Sequence, residues 1–186
     1  KLIASVGITG VGGYTAKEMG LELPESVFPI AMATLIGAFV ILGVEWRSRG
    51  KEFSHVLTWG AAVAIAMGQL LAAVFPGTSR SGAAIMAALL LGLARPVAVR
   101  SAFLVGIPTM FAAGGLQLKE AIEAGEASVL LAPESLVAFV VATVSAWLSV
   151  VWLLRFVQTR DFIPFAWYRL GLGSLLLGLI GFGVLQ

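Results

Sequence analysis

Between two apolar runs, Val56 to Phe75 and Ala83 to Leu93, the chain carries Pro76-Gly77-Thr78-Ser79-Arg80-Ser81-Gly82. An arginine beside Thr78, Ser79 and Ser81, with glycines on both sides, suits the holding of an anion. Its guanidinium offers a planar fork of donors that matches phosphate oxygens. The hydroxyls add short donors. A helix opening on the second apolar run would add unpaired N–H groups and the positive end of its dipole. Pro76 cannot continue a helix, and Gly77 and Gly82 permit a sharp bend and a close ligand. The set reads as a phosphate cradle in which Arg80, Ser79 and Ser81 face the chemistry and Gly77, Thr78 and Gly82 shape the seat. A plainer reading stays open: a polar hairpin tip whose serine caps a helix and whose arginine pairs with a distant carboxylate. A Walker-type loop is excluded, because no G-x-x-x-x-G-K pattern is present.

The surroundings of this motif are those of a membrane protein. Of 186 residues, 59% are hydrophobic and 12% charged, against roughly 25% charged in soluble domains. Mean hydropathy is +0.99. An arginine at the bilayer centre costs about 2.5–3.5 kcal/mol on insertion scales, which makes an intramembrane Arg80 a functional residue by default. With no cysteine in the chain, disulfides and thiolate chemistry are excluded. The small net charge of +2, with its basic residues scattered, excludes nucleic acid as a partner.

Apolar stretches long enough to cross a bilayer are expected near Lys1–Ala16, Val27–Val44, Val56–Phe75, Val97–Leu118, Ser135–Val157 and Phe162–Leu185, whereas Ala83–Ala94 is too short. Arg47, Arg49 and Lys51, then Arg95 and Arg100, then Arg155 and Arg160 mark cytoplasmic connections. The glutamate-rich Ala16–Glu25 and Lys119–Glu134 connections are then external. That pattern survives only if the stretch over about 56–94 enters and leaves on one side, as a re-entrant hairpin. Non-helical backbone at membrane depth must line a cavity or be buried in protein, so the tip should face a polar cavity. The expectation is an all-α polytopic membrane protein: one transmembrane domain over residues 1–186, a helical bundle with a re-entrant hairpin.

The run Gln69-Leu70-Leu71-Ala72-Ala73-Val74-Phe75-Pro76-Gly77-Thr78-Ser79-Arg80-Ser81-Gly82-Ala83 closely resembles the second signature of the undecaprenyl pyrophosphate phosphatases, or bacitracin-resistance proteins. The likeness continues through Phe103-Leu104-Val105-Gly106-Ile107-Pro108 and Phe162-Ile163-Pro164-Phe165-Ala166-Trp167-Tyr168-Arg169, and covers the chain from about Glu45 onward. It implies a lipid phosphatase of the bacterial inner (plasma) membrane that converts undecaprenyl pyrophosphate to the monophosphate, recycling the carrier for peptidoglycan. It also implies an inverted-repeat architecture with two re-entrant hairpins. Arg80 would grip the pyrophosphate, Ser79, Ser81 and Thr78 would position it, and Gln69 and Arg169 would support the substrate. A divalent cation, Mg or Ca, is implied. Its ligands belong to the family's first signature, a Glu-rich segment followed by Ser-Ser-Thr-Gly-His, which precedes the region that this chain resembles. The resemblance thus covers the C-terminal two-thirds of a family member, and the metal ligands here are unknown. Two departures stand out: Ala84 where a threonine is usual, and Ser101-Ala102 where Phe-Ser is common.

The remaining polar residues read more plainly. His55 is a solvated loop histidine and Glu45 an interfacial residue. Arg95 and Arg100 are topology anchors with access to lipid phosphate. Glu120, Glu123, Glu126 and Glu134 belong to an external loop. Trp46, Trp59, Trp152, Trp167 and Tyr168 suit an aromatic belt. A transporter or flippase of a phosphorylated lipid or anion is the alternative function, because broken helices aimed at anions also mark transporters. A polyprenyl pyrophosphate and membrane lipids are the expected partners, and homo-oligomerisation is left open.

Overall fold

The computed structural model describes residues 1–19, 26–126 and 132–185. These hold seven helices: α1 (Leu2–Glu18), α2 (Val27–Ser48), α3 (Trp59–Val74), α4 (Arg80–Leu90), α5 (Arg95–Glu123), α6 (Pro133–Thr159) and α7 (Ile163–Gly181). Four of them, α2, α5, α6 and α7, are long and apolar enough to cross a membrane, whereas α1, α3 and α4 are shorter. Most of the acidic Ala16–Glu25 connection and part of Lys119–Glu134 lie outside the described residues.

The hairpin is shorter than its apolar runs suggest, because local capping overrides hydropathy. Thr58 accepts the Ala61 N–H at 3.1 Å and starts α3, which then ends at Val74 before Pro76. The second arm begins at Arg80, three residues earlier than the apolar pattern implies, because Ser79 caps it through the Gly82 N–H. Arg80, Ser81 and Gly82 are therefore the first turn of α4, not the loop before it. At the far end Gly92 takes φ +78°. Its N–H and that of Leu93 return to the carbonyls of Leu89 and Ala88, a Schellman closure. Ser54 then pairs with Gly92 and Ala94 through its backbone, at 2.8 and 2.9 Å. This short bridge brings both ends of the hairpin side by side.

The two arms pack without side chains between them at Gly68, where an added Cβ would sit 2.8 Å from the Ala83 carbonyl. Fully buried Ile65, Val99 and Val105 and buried Ala84 and Ala88 fill the space around them. α2 packs on α7 and α4, and α5 packs on α1, α3, α4 and α6. α6 buries only Val157 and exposes Phe139, Val140, Trp147 and Leu148. Such a surface is compatible with lipid as solvent and not with water.

Candidate active site at the hairpin tip

Tip geometry follows from one glycine and one strained serine. Gly77 adopts φ +88°, and a Cβ there would lie 2.5 Å from the Ile30 carbonyl oxygen of α2. Only glycine fits both the backbone conformation and the close approach. Ser79 takes φ +69° with a side chain present, a conformation that costs on the order of 1–3 kcal/mol and concentrates at ligand-binding sites. Its Oγ accepts the Gly82 amide, and its carbonyl accepts the Ala83 amide. The amides of Arg80 and Ser81, at the first two helical positions, have no intrahelical acceptor and point along the positive end of α4.

Arg169 meets this tip from α7. Its guanidinium donates to the carbonyls of Thr34 (3.2 Å), Ala33 (3.2 Å) and Gly77 (2.8 Å). Among the described residues it forms no ion pair with a carboxylate. Gly37 makes this possible, since a Cβ there would stand 2.2 Å from Nη2. The result is a half-buried cation held by neutral carbonyls, with its charge uncompensated.

A groove of about 1130 Å³ runs from this tip between α2, α3, α4 and α7. Thr78, Ser79, Ser81, Gly82 and Arg169 give it polar lining, while Met32, Ile36, Val40, Met67, Leu71 and Ile85 are among its apolar lining. The structure thus gathers Gly77, Thr78, Ser79, Ser81, Gly82 and Arg169 at one place. Arg80 is at the same tip but turns away from the groove, its Nη1 donating to the Met110 Sδ on α5 at 2.9 Å. The plainer reading of the motif is half right: Ser79 does cap the helix, but Arg80 has no carboxylate partner among the described residues.

Gln69 sits elsewhere. It is 2% exposed, and it donates to the Ala102 carbonyl at 3.1 Å and accepts from Thr109 at 3.5 Å. Its amide ties α3 to α5 rather than lining the groove. His55 is exposed beside the hairpin base, far from the tip, as a loop histidine should be. Glu45, expected at the interface, does not face solvent. It is buried, it clamps the Arg95 guanidinium through both carboxylate oxygens, and its Oε1 accepts the Phe162 N–H at 3.0 Å. A carboxylate inside an apolar run was the available signal; its partner, fifty residues away, was not visible locally. Thr34 and Gly37 were likewise silent, being ordinary small residues of a membrane helix.

No group of three or more His, Asp or Glu side chains among the described residues could hold a metal ion. The tip supplies hydroxyls, amides and guanidinium groups, which are donors for an anion and a poor set for a divalent cation.

Within a multi-pass helical bundle, the tip of a short hairpin thus brings hydroxyl and guanidinium groups to one end of an apolar groove, a combination that suits an amphiphilic anion. The family model for bacitracin resistance protein BacA matches residues 1–175, and the chain belongs to that family. An undecaprenyl-diphosphatase of Rhizobium etli is 44% identical over 190 residues, covering all of this chain and 70% of the relative. Those of Xylella fastidiosa (41% over 178 residues, 95% of this chain and 68% of the relative) and Xanthomonas oryzae (42% over 171 residues, 91% and 64%) are similar in the same way.

Proposed function

We propose that this protein is an undecaprenyl-diphosphate phosphatase of the bacterial inner membrane. Water cleaves the phosphoanhydride of undecaprenyl pyrophosphate; inorganic phosphate leaves, and undecaprenyl phosphate is returned for cell-wall synthesis. The observation that carries the reading is the continuity of the apolar groove with the cationic, hydroxyl-rich tip. One end suits an isoprenoid and the other a pyrophosphate, and the named activity of the relatives joins them. The groove would serve a flippase of a phosphorylated lipid equally well, so it is the activity in the relatives' names that favours hydrolysis over transport.

On this reading the hairpin is re-entrant and belongs to an inverted repeat. Its tip packs against Ile30 and Thr34, in the first two turns of the spanning helix α2, which supports a seat below the membrane surface. Arg169, already fixed by three carbonyls, holds the charge of the bound pyrophosphate without reorganising. Ser79, Ser81 and Thr78 donate to its oxygens, together with the free amides at the start of α4. Arg80 is parked on a thioether, a weak acceptor. It exchanges that contact for a charge-assisted pair with phosphate once the lipid is seated. The divalent cation implied by the family likeness finds no cluster of three or more His, Asp or Glu ligands among the described residues.

The test is phosphate release from a polyprenyl pyrophosphate by the full-length protein in detergent, beside lipid movement in proteoliposomes. Release that depends on Arg169 and Arg80 supports the proposal. Lipid movement without release overturns it.

A further inference from the structure

A second cavity, of about 530 Å³, opens at the opposite end of the hairpin. Its walls are the Phe53–His55 connection, the start of α5 (Ala94, Arg95, Pro96), the end of α6 and the following Arg160 and Asp161. Beside His55 and Gln158, three charged side chains line it. Arg95 uses Nε and Nη2 on Glu45, and its Nη1 meets no acceptor among the described residues. The side chain is 28% exposed and lies over the Phe53 ring, 5.8 Å from its centroid. That stacking and the carboxylate clamp fix its direction. Arg160 is exposed and makes no ion pair among the described residues. Asp161 accepts the Ile163 N–H on Oδ1 at 3.3 Å, and its Oδ2 has no hydrogen-bond donor among the described residues.

Arg95, already paired with Glu45 and acted on by the Asp161 charge, thus shares one cavity with Arg160 and Asp161, and no salt bridge joins Asp161 to either arginine among the described residues. A simple anion would meet the donors and be repelled by Asp161. A simple cation would suffer the reverse. The complementary ligand carries both charges a few bonds apart: a phosphodiester for Arg160 and Arg95, and a primary ammonium with N–H donors for Asp161. The place agrees, since Arg47, Arg49, Lys51, Arg95 and Arg160 cluster in the connections at this end of the bundle, where headgroups lie. We propose that this cavity is a phospholipid headgroup site selective for phosphoethanolamine, separate from the tip and independent of its activity.

The test is native mass spectrometry of the full-length protein after exchange into phosphatidylethanolamine or phosphatidylcholine, which share the phosphate but differ in ammonium N–H groups. Wild type should retain the ethanolamine lipid at least about tenfold better, a ratio easily read as affinity. Asp161→Asn keeps an oxygen for the Ile163 amide and loses the charge, so it should fold and reduce retention to the choline level. Arg160→Gln should weaken both lipids, and Arg160→Lys should restore much of the binding. Soluble glycerophosphoethanolamine should compete, and inorganic phosphate should not. Equal retention of the two lipids, or a preference that survives Asp161→Asn, overturns the proposal. Competition by inorganic phosphate at the same concentration as glycerophosphoethanolamine also overturns it, since the site would then read phosphate alone.

Discussion

Arg169 of α7 donates to the carbonyl oxygen of Gly77 at 2.8 Å, across 92 residues of chain. That bond joins the last described helix to the hairpin tip. It fixes the cation and the tip by the same contact, while the Ala33 and Thr34 carbonyls hold the guanidinium from the other side. A lysine offers one compact charge and cannot serve three carbonyls in this spread. Arg169→Lys should therefore lower phosphate release by about 10²-fold, the size seen when one preorganised donor is lost. Its cost in folding should be about 1–3 kcal/mol. Activity within a few-fold of wild type, measured by phosphate release, would show that this cation does not face substrate.

Gly37 supplies a second probe, because the atoms nearest to it are those of the Arg169 guanidinium. Alanine is favoured over glycine inside a helix by about 1 kcal/mol, so Gly37→Ala should not lower the melting temperature through propensity. Its Cβ, however, would occupy a point 2.2 Å from Nη2, and the guanidinium must move. The expected result is a stable protein with activity reduced by about tenfold or more, as a misplacement of roughly 1 Å produces. Unchanged turnover would refute the claimed dependence on Arg169 placement.

Arg80 poses a different question, because its only side-chain partner among the described residues is a thioether. If it is held in reserve for the phosphate, then Arg80→Lys should cripple turnover and hardly alter the thermal midpoint, since surface-like substitutions usually stay within about 0.5 kcal/mol. Met110→Leu removes the parking contact and should leave turnover within the same order of magnitude. A loss from Met110→Leu as deep as that from Arg80→Lys would mean that the contact itself, and not the free guanidinium, matters.

How far the sequence disclosed this arrangement depended on the kind of signal. The crossing helices α2, α5, α6 and α7 were legible because hydropathy over about twenty residues is a sum of many small terms, whereas α1, also expected to cross, is shorter than those four. The tip was legible because Pro76, Gly77, Ser79 and Arg80 are chemically improbable in an apolar setting. Helix ends were displaced where one capping side chain outweighed hydropathy, at Thr58 and Ser79. Illegible were the partners. That Gln69 reaches Ala102, Arg80 faces Met110 and Arg169 lies on Gly37 depends on the rotation of each helix about its axis. The local pattern of a uniformly apolar helix does not encode that rotation.

Glu45 shows what such a hidden partner is worth. Its carboxylate is 3% exposed and joins α2 to Arg95 at the start of α5 and to the Phe162 amide at the start of α7. This clamp lies about 17 Å along α2 from Thr34, taking 1.5 Å per residue, so it sets the frame of the tip without touching it. Removing one member of a buried pair strands the other, at about 3–5 kcal/mol. Arg95 is partly exposed and can recover some hydration, which moves the expectation to the low end, about 3 kcal/mol. Glu45→Gln should thus lower stability by that amount, read as a shift of the denaturation midpoint. Any fall in turnover should track the folded fraction. The double variant Glu45→Leu with Arg95→Met carries no stranded charge, so it should be more stable than Glu45→Leu alone by about 1 kcal/mol or more, the non-additivity expected of residues in contact. Additive losses in that cycle would mean that the two side chains do not depend on each other.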